Sequence, residues 1–182
     1  MVYVHLAYGF EEIEALTAVD ILRRGGVEVK TVSITDDLQV EGAHGITVNT
    51  DITFASADYD NCEMIVLPGG LPGATNLRDH DGLKSKIYQF ADAGKWVAAI
   101  CASPSVILGS YGLLRNRKAT CYPGMEDGMV GAKAENIGAI CDGNTITGMG
   151  PAYATEFALL LLEKLTDKSN ADSVASGFLY RG

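Results

Sequence analysis

Basic clusters are missing from this sequence, whose Lys and Arg residues are scattered and whose formal net charge is -9. No run of Lys and Arg with interleaved aromatic residues could follow a phosphate backbone. An acidic balance of this kind speaks mainly to solubility. We therefore expect no nucleic-acid partner.

Long hydrophobic runs are missing as well. The longest one near the C-terminal end, residues 157–162, is far shorter than the ~20 residues that a bilayer span requires. Residues 1–7 have neither the basic leader nor the cleavage pattern of a signal peptide, so we interpret them as a first strand. The sequence predicts a soluble protein that does not enter a membrane.

Cysteine and histidine are scarce. The four cysteines form no CxxC pair and have no histidine at the spacing of metal ligands. This usage is typical of reduced thiols in a cytoplasm, so we expect a cytoplasmic protein with no metal and no cofactor. Of the three histidines, His5 is expected in the core, His80 in solvent, and only His44 is free for chemistry. A conventional Cys-His-carboxylate triad is therefore not expected.

Strand patterns alternate with helical patterns along the chain. With 182 residues, 47% of them hydrophobic, and no linker-like stretch, residues 1–182 are predicted to form one domain. The predicted strands are 2–6, 28–34, 64–67, 95–100, 118–121, 137–141 and 145–147, and the predicted helices are 11–24, 82–93, 104–111 and 153–165, with a hairpin in 41–49 and a weaker helical tail. This order predicts an α/β fold: a flavodoxin-like three-layer sandwich with a central, mostly parallel sheet and helices on both faces.

Cys101 lies at a sharp junction between a predicted strand and a predicted helix, in the segment AAICASP at 98–104. Small neighbours allow a tight turn of the nucleophile-elbow type, although Ala99 and Ser103 stand where glycines are usual. A thiol at a helix start is favoured as thiolate by the helix dipole and nearby N–H groups. Position alone leaves two interpretations open, a reactive thiol and a buried inert cysteine.

Glu14 lies one turn into the first predicted helix, in a row with Ala18 and Ile21. Its side chain is therefore predicted to follow an apolar stripe, where burial keeps a carboxyl group protonated. A neutral acid beside Cys101 could donate a hydrogen bond to a thiolate and later act as general acid or base. Alternatively, Glu14 is a third helix-start carboxylate beside Glu11 and Glu12.

The turn LPGGLPG at 67–73 is rich in glycine, so few side chains cover its backbone N–H groups, which could face the thiol. We interpret it as an oxyanion cradle. It lacks the Lys and Ser/Thr of a phosphate loop and the spaced glycines of a dinucleotide fingerprint, so a nucleotide role is weak.

Four motifs, in order, resemble the ThiJ/PfpI family over nearly the full chain: GFEEIE at 9–14, VLPGG at 66–70, AAICASP at 98–104 and Gly150-Pro151. The resemblance implies that Cys101 is the reactive cysteine and Glu14 its hydrogen-bonding acid. It also implies that the N–H groups of Gly70 and Ala102 are oxyanion donors.

Further positions carry over from the same resemblance. Arg24 matches a residue of an anion pocket near a homodimer interface to which the first helix contributes, and Gly69 and Pro151 border the same cleft. Two positions depart from the family pattern, because Tyr122 stands where the family has a histidine and His44 where it has a second arginine. A Cys-Glu site without a Cys-His pair is what remains.

Two functions from different classes follow from the resemblance. In the first, the chain is a cofactor-independent enzyme of glyoxalase or deglycase type, and Cys101 and Glu14 act on a small reactive carbonyl or a glycated protein. In the second, it is a redox-responsive stress protein or chaperone whose Cys101 is oxidised to the sulfinate without turnover. An amidotransferase-like or thiamine-pathway activity has only the fold and the family's name in its favour.

Overall fold

A seven-stranded sheet forms the centre of the computed structural model, which describes residues 1–180. These described residues contain eleven strands: β1 (Val2–Leu6), β2 (Val29–Ser33), β3 (Gln39–Glu41), β4 (Thr47–Asn49), β5 (Ile52–Thr53), β6 (Met64–Leu67), β7 (Trp96–Ile100), β8 (Lys118–Ala119), β9 (Lys133–Ala134), β10 (Ala139–Asp142) and β11 (Thr145–Gly148). The central sheet has the order β10-β11-β7-β6-β1-β2-β5, and every pair is parallel except β10 with β11.

Helices cover both faces of this sheet. They are α1 (Glu12–Arg24), α2 (Gly73–Asp79), α3 (Asp81–Asp92), α4 (Ala154–Leu165), α5 (Lys168–Gly177) and a π-helical segment (Pro104–Gly109). Side chains of α1, α4 and α5 share one buried cluster with alternate β1 residues, and those of α3 and the π-helix share the other. Helix α2 contributes Ala74 to the first cluster and Leu77 to the second. The predicted flavodoxin-like three-layer sandwich is confirmed, because alternate residues of each central strand point to opposite covered faces.

Helix α1 shows how the local sequence places the site. Its first turn is capped by Glu11, whose Oε2 accepts a hydrogen bond from the Glu14 backbone N–H at 2.8 Å. Its other end stops at Gly25, and Gly26 follows with a φ of 78°. A side chain at Gly25 would collide with Leu162 of α4, so glycine there allows the two helices to pack closely.

Parallel register brings three strand ends to one edge. Val4 of β1 pairs with Val66 of β6, and Leu67 of β6 pairs with Ala99 of β7. The loops that leave these strands therefore emerge side by side, which is where ligands bind in open α/β sheets.

Several predicted elements differ from the structure. Helix α2 was not predicted, because its sequence GATNLRD contains weak helix formers. The helix predicted over 104–111 is a shorter π-helix, and the strand predicted over 118–121 is only β8, which pairs with β9 outside the main sheet. The hairpin is confirmed as β3 and β4.

Four apolar residues recur at helical spacing along α1, and only two of them are buried. Val19 and Leu22 lie in the core, but Ile13 is 56% exposed and Leu16 38% exposed. In the described residues, no helix combines the length and apolar character that crossing a membrane requires.

Candidate active site

Cys101 occupies the turn between β7 and the π-helix. Its φ is 65°, in the left-handed region that side chains rarely adopt. Such a conformation costs on the order of 1–3 kcal/mol and persists only where surrounding contacts hold it. Here the Cys101 N–H donates to the Gly148 carbonyl at 2.9 Å, and the Cys101 carbonyl accepts from the Tyr122 N–H at 2.8 Å. The predicted elbow is therefore present, with the thiol largely covered at 8% exposure.

Glu14 lies beside this turn, as the helical row with Ala18 and Ile21 predicted. All three residues are buried, and Glu14 is 1% exposed. Its Oε2 accepts a hydrogen bond from the Gly69 N–H at 2.7 Å. Among the described residues, its Oε1 is buried without a hydrogen-bond partner. The alternative role as a helix-start carboxylate falls instead to Glu11, which caps α1.

Gly69 separates the acid from the thiol. A methyl group on Gly69 would lie 2.7 Å from Cys101 Cβ and 2.8 Å from Glu14 Oε2, closer than side-chain atoms approach. The absence of a side chain therefore allows the carboxyl and the thiol to flank one backbone position. The sequence indicated that the glycine-rich turn could lie close to the thiol, and the structure shows that Gly69 makes this close approach possible.

Burial dominates the protonation of Glu14. It raises the pKa of the carboxyl to about 7, and the neighbouring Glu11 adds to the rise, while hydrogen bonds from Gly69 and Cys101 oppose it. At neutral pH the carboxyl is therefore poised between its two protonation states, as a general acid or base requires.

Cys101 shifts in the direction opposite to the one expected from its helix-start position. Burial raises the pKa of its thiol to about 12, and the charge and hydrogen bonding of Glu14 add to the rise. The following helix is a short π-helix, and its dipole does not overcome burial. Two of the causes that raise the pKa belong to ionised Glu14, so protonation of Glu14 removes them and lets its O–H donate to sulfur. Carboxylate with thiol, and carboxylic acid with thiolate, then carry the same net charge.

Backbone donors face the same sulfur. The N–H groups of Gly70 and Ala102 lower the pKa of Cys101, as hydrogen bonds to an anion do. Gly70 has a φ of 85°, and a Cβ there would lie 2.6 Å from the Glu11 nitrogen. The turn can therefore approach the start of α1 only with glycine at this position. The role of these two N–H groups as oxyanion donors, which the family resemblance implied, stays a prediction.

Arg24 and His44 are not brought together within one chain. Arg24 ends α1, where its Nε bonds to Asp20 at 2.7 Å in an exposed pair. His44 lies at the other end of the helix, where its Nδ1 contacts Glu12 Oε2 at 2.6 Å. The twelve helical rises from Glu12 to Arg24 correspond to about 18 Å.

His44 is therefore not free for chemistry at Cys101. Its hydrogen bond with Glu12, and the charge of that carboxylate, raise the pKa of the imidazole. Glu11, Glu12 and His44 present ligand-type atoms within 4.8 Å of one another. These atoms are already engaged, since Glu11 caps α1 and both Glu12 oxygens accept from His44.

The other two histidines also have defined partners. His5 is fully buried as predicted, and its Nε2 contacts the Tyr59 hydroxyl at 2.7 Å. His80 was expected in solvent, but its Nδ1 caps α3 by accepting from the Leu83 N–H at 3.0 Å. Neither lies at Cys101.

An open pocket of about 350 Å³ lies beside Tyr122, whose backbone N–H donates to the Cys101 carbonyl. It is lined mostly by apolar groups and by two rings, Tyr122 and Tyr153, which are 49% and 40% exposed. Pro151 lies in its wall, and its place at an anion-binding cleft stays a prediction. Tyr122 reaches Cys101 through its backbone N–H rather than through its hydroxyl.

Ser103 is a supporting residue that the sequence analysis did not assign. Its hydroxyl donates to the Pro68 carbonyl at 2.5 Å and is fully buried. This bond ties the elbow to the glycine-rich turn. The only signal in the sequence was a small polar residue two positions after the cysteine.

The fold and this thiol-carboxyl pair define a class of α/β proteins that present a nucleophile-elbow cysteine at the carboxyl edge of a parallel sheet. Within that class, the chain belongs to the DJ-1/PfpI family, whose family model matches residues 1–164. The resemblance drawn from the four motifs is thereby confirmed.

Individual relatives agree with this assignment. The chain is 35% identical to Protein DJ-1 homolog A of Arabidopsis thaliana over 99% of its own length and 46% of that protein, so it spans about half of the plant relative. It is 34% identical to Deglycase PH1704 of Pyrococcus horikoshii over 84% of this chain and 93% of the relative. Its structure is similar to oxidised DJ-1 of Toxoplasma gondii, with a TM-score of 0.95, 36% identity, and coverage of 100% of this chain and 98% of that one.

Proposed function

We propose that this protein is a thiol enzyme of glyoxalase or deglycase type that acts on small reactive carbonyls or their early protein adducts. One observation carries the proposal: Glu14, with a pKa of about 7, lies across Gly69 from Cys101. The name of the archaeal relative, a deglycase, supports the same reaction class.

The first step transfers the thiol proton of Cys101 to the Glu14 carboxylate. The thiolate then attacks the aldehyde carbon, a C–S bond forms, and the carbonyl electron pair moves onto oxygen. The N–H groups of Gly70 and Ala102 stabilise that oxygen, and Glu14 returns its proton to it. The product of this step is a hemithioacetal, and no oxidant or reductant is consumed.

For methylglyoxal, Glu14 next moves a proton from the carbon bonded to sulfur to the neighbouring ketone carbon. The hydroxyl proton of the hemithioacetal passes to the ketone oxygen at the same stage, so the hemithioacetal becomes an isomeric thioester. Water hydrolyses the thioester to lactate and frees the thiol. General acid–base catalysis of this kind contributes about 10²- to 10⁴-fold to a rate.

Steady-state consumption of methylglyoxal tests the proposal. We expect Cys101→Ser to abolish turnover and Glu14→Gln to lower kcat by at least about a hundredfold, the lower range for a lost acid–base group. Cys141→Ser is the matched control, because this half-buried cysteine lies on β10, outside the site. Activity retained by Cys101→Ser would remove the thiol from the mechanism.

A redox-responsive role is the second candidate, and a specific atom favours it. Glu14 Oε1 is buried without a hydrogen-bond partner in the described part of the chain, so a protonated carboxyl could donate to an oxygen of a Cys101 sulfinate. The similar structure from Toxoplasma gondii is of an oxidised protein. Under graded peroxide, we expect Cys101 to gain two oxygen atoms before Cys121 changes. Earlier oxidation of Cys121, seen by peptide mass spectrometry, would contradict this role.

We also propose a homodimer in which α1 contributes to the interface. Ile13 and Leu16 place apolar side chains on an exposed face of α1, which a second copy would cover. Because Arg24 and His44 lie at opposite ends of this helix, an anion pocket containing both requires two chains. Light scattering after size exclusion should show a dimer that Ile13→Glu shifts to monomer, and a monomeric parent protein would refute the arrangement.

A further inference from the structure

A second, smaller cavity of about 160 Å³ lies beside the pocket lined by Tyr122 and Tyr153. It is bounded by the segment after β8 and by the loop that contains Met129, and it contains no side chain assigned to the carbonyl site. Met149 and Pro123 line both cavities and so form the wall between them. Nothing in the proposed carbonyl chemistry uses this place.

Three sulfur-bearing side chains line this cavity: Cys121, Met129 and Met149. All are buried, at 4%, 3% and 8% exposure. A thiol with two thioethers is a soft donor set, which selects Cu(I) over the oxygen-preferring ions Mg²⁺ and Ca²⁺. No histidine lines the cavity, which distinguishes the donor set from the mixed sites typical of Zn²⁺.

The local charge favours a cation. Glu126 lines the same cavity as Cys121, so a cation bound to the sulfur would lie near its carboxylate. The second carboxylate of the wall, Glu135, is near Lys118 at 3.6 Å, so its charge is partly balanced. A metal cation that replaced the thiol proton would meet the unbalanced charge of Glu126.

The side chains have the freedom that convergence on one ion requires. Each methionine has three rotatable bonds beyond its Cα and adapts its thioether to irregular space. The Cys121 sulfur has one weak contact, to the Tyr122 carbonyl at 3.4 Å, which leaves its other directions available. The cavity of about 160 Å³ leaves space for an ion between these side chains.

From this geometry we propose that Cys121, Met129 and Met149 form a binding site for a monovalent soft metal ion, Cu(I), separate from the Cys101 site. Binding exchanges one proton for the metal: Cys121–SH and Cu(I) give Cys121–S–Cu(I) and H⁺. Copper stays in its +1 state, so no electron is transferred. The two thioethers complete the coordination as neutral ligands.

Competition with a chromophoric Cu(I) chelator under ascorbate tests the site. The parent for this experiment is Cys101→Ser, which removes the thiol of the carbonyl site as a competing ligand. We expect one Cu(I) per chain, at least tenfold weaker binding in Met129→Leu and Met149→Leu, and loss of the site in Cys121→Ser. Cys141→Ser, outside the cavity, should match the parent. Affinity should rise about tenfold per pH unit below the pKa of Cys121, because binding releases one proton.

A second measurement uses only the Cys101→Ser protein, so its result does not depend on further variants that could misfold. With methyl-labelled methionine, Ag(I) as a redox-inert substitute for Cu(I) should shift the Met129 and Met149 signals and leave Met64 of β6 unmoved. The proposal is overturned if those two signals stay in place, or if one equivalent of Cu(I) binds as tightly after Cys121→Ser. It is also overturned if binding requires Cys101.

Discussion

Replacing Glu14 with glutamine should change how the stability of the protein depends on pH. In the folded state the pKa of Glu14 is raised from 4.5 to about 7, chiefly by burial. The folded protein therefore binds one proton that the unfolded chain has already lost between these pH values. The stabilisation is fully present below pH 4.5 and is lost as pH rises through about 7.

The magnitude follows from the same shift. Each pKa unit corresponds to about 1.4 kcal/mol, so the rise in Glu14 corresponds to about 3 kcal/mol. The glutamine of the variant cannot titrate, but it retains the size of the side chain and the acceptor oxygen that faces Gly69. Relative to Glu14→Gln, the wild-type protein should therefore lose about 3 kcal/mol of unfolding free energy between pH 4 and pH 8.

Urea titrations of both proteins at several pH values measure this difference. Other groups that titrate in both proteins cancel in the comparison, and burial, the largest cause of the raised pKa of Cys101, is present in both. Parallel stability curves would refute the reasoning, as would a wild-type protein that gains stability over the variant on going to pH 8. Thiolate absorbance in the same samples shows how much of the released proton comes from Cys101 rather than Glu14.

Three further predictions rest on individual contacts. Gly69→Ala should lower kcat by more than tenfold while far-ultraviolet circular dichroism stays unchanged, because the added methyl would lie 2.7 Å from Cys101 Cβ; wild-type kcat would contradict this. Ser103→Ala should cost about 1–3 kcal/mol in urea denaturation, because it leaves a buried carbonyl unpaired, and a neutral result would show that water replaces the hydroxyl. In a pH titration by NMR, the pKa of His44 should lie above 6.5 and fall after Glu12→Gln, whereas an unmoved titration would mean that the pair does not form in solution.

The position of Glu14 could be predicted because it depends on helical periodicity alone. A carboxyl in register with Ala18 and Ile21 must share their face, and the structure buries all three. The elbow at Cys101 was predictable for a similar reason, since three residues between a strand and a helix leave room only for a sharp turn. Local rules were sufficient in both places.

The protonation of the pair could not be read from the sequence. A helix-start position indicated a thiolate, but the structure buries the sulfur and places Glu14 beside it, and both effects raise the pKa of Cys101. How strongly a titratable group is desolvated depends on which segments, distant in sequence, cover it in the folded protein. The turn that contains Gly69 and the helix that contains Glu14 are 55 residues apart, and only the fold brings them together.

Contacts between surface side chains that are distant in sequence could not be predicted either. His44 was expected to be free because nothing near it in sequence is a partner, yet Glu12 lies 32 residues away and contacts it directly. The sequence did predict the length of α1, which sets the distance from Arg24 to the start of that helix. That His44 lies near the start of α1 could be seen only from the structure, in which the hairpin contacts this end of the helix.

Cys101 is held in place by its main chain, which affects how such a site can change during evolution. The peptide groups of Cys101 bond to Gly148 and Tyr122, the residues that lead into the pocket walls, and none of these bonds involves a side chain. Substitutions along the walls can therefore alter which molecules are admitted without moving the sulfur. Single substitutions in the pocket walls can therefore change substrate selectivity while the position of the Cys101 sulfur stays the same.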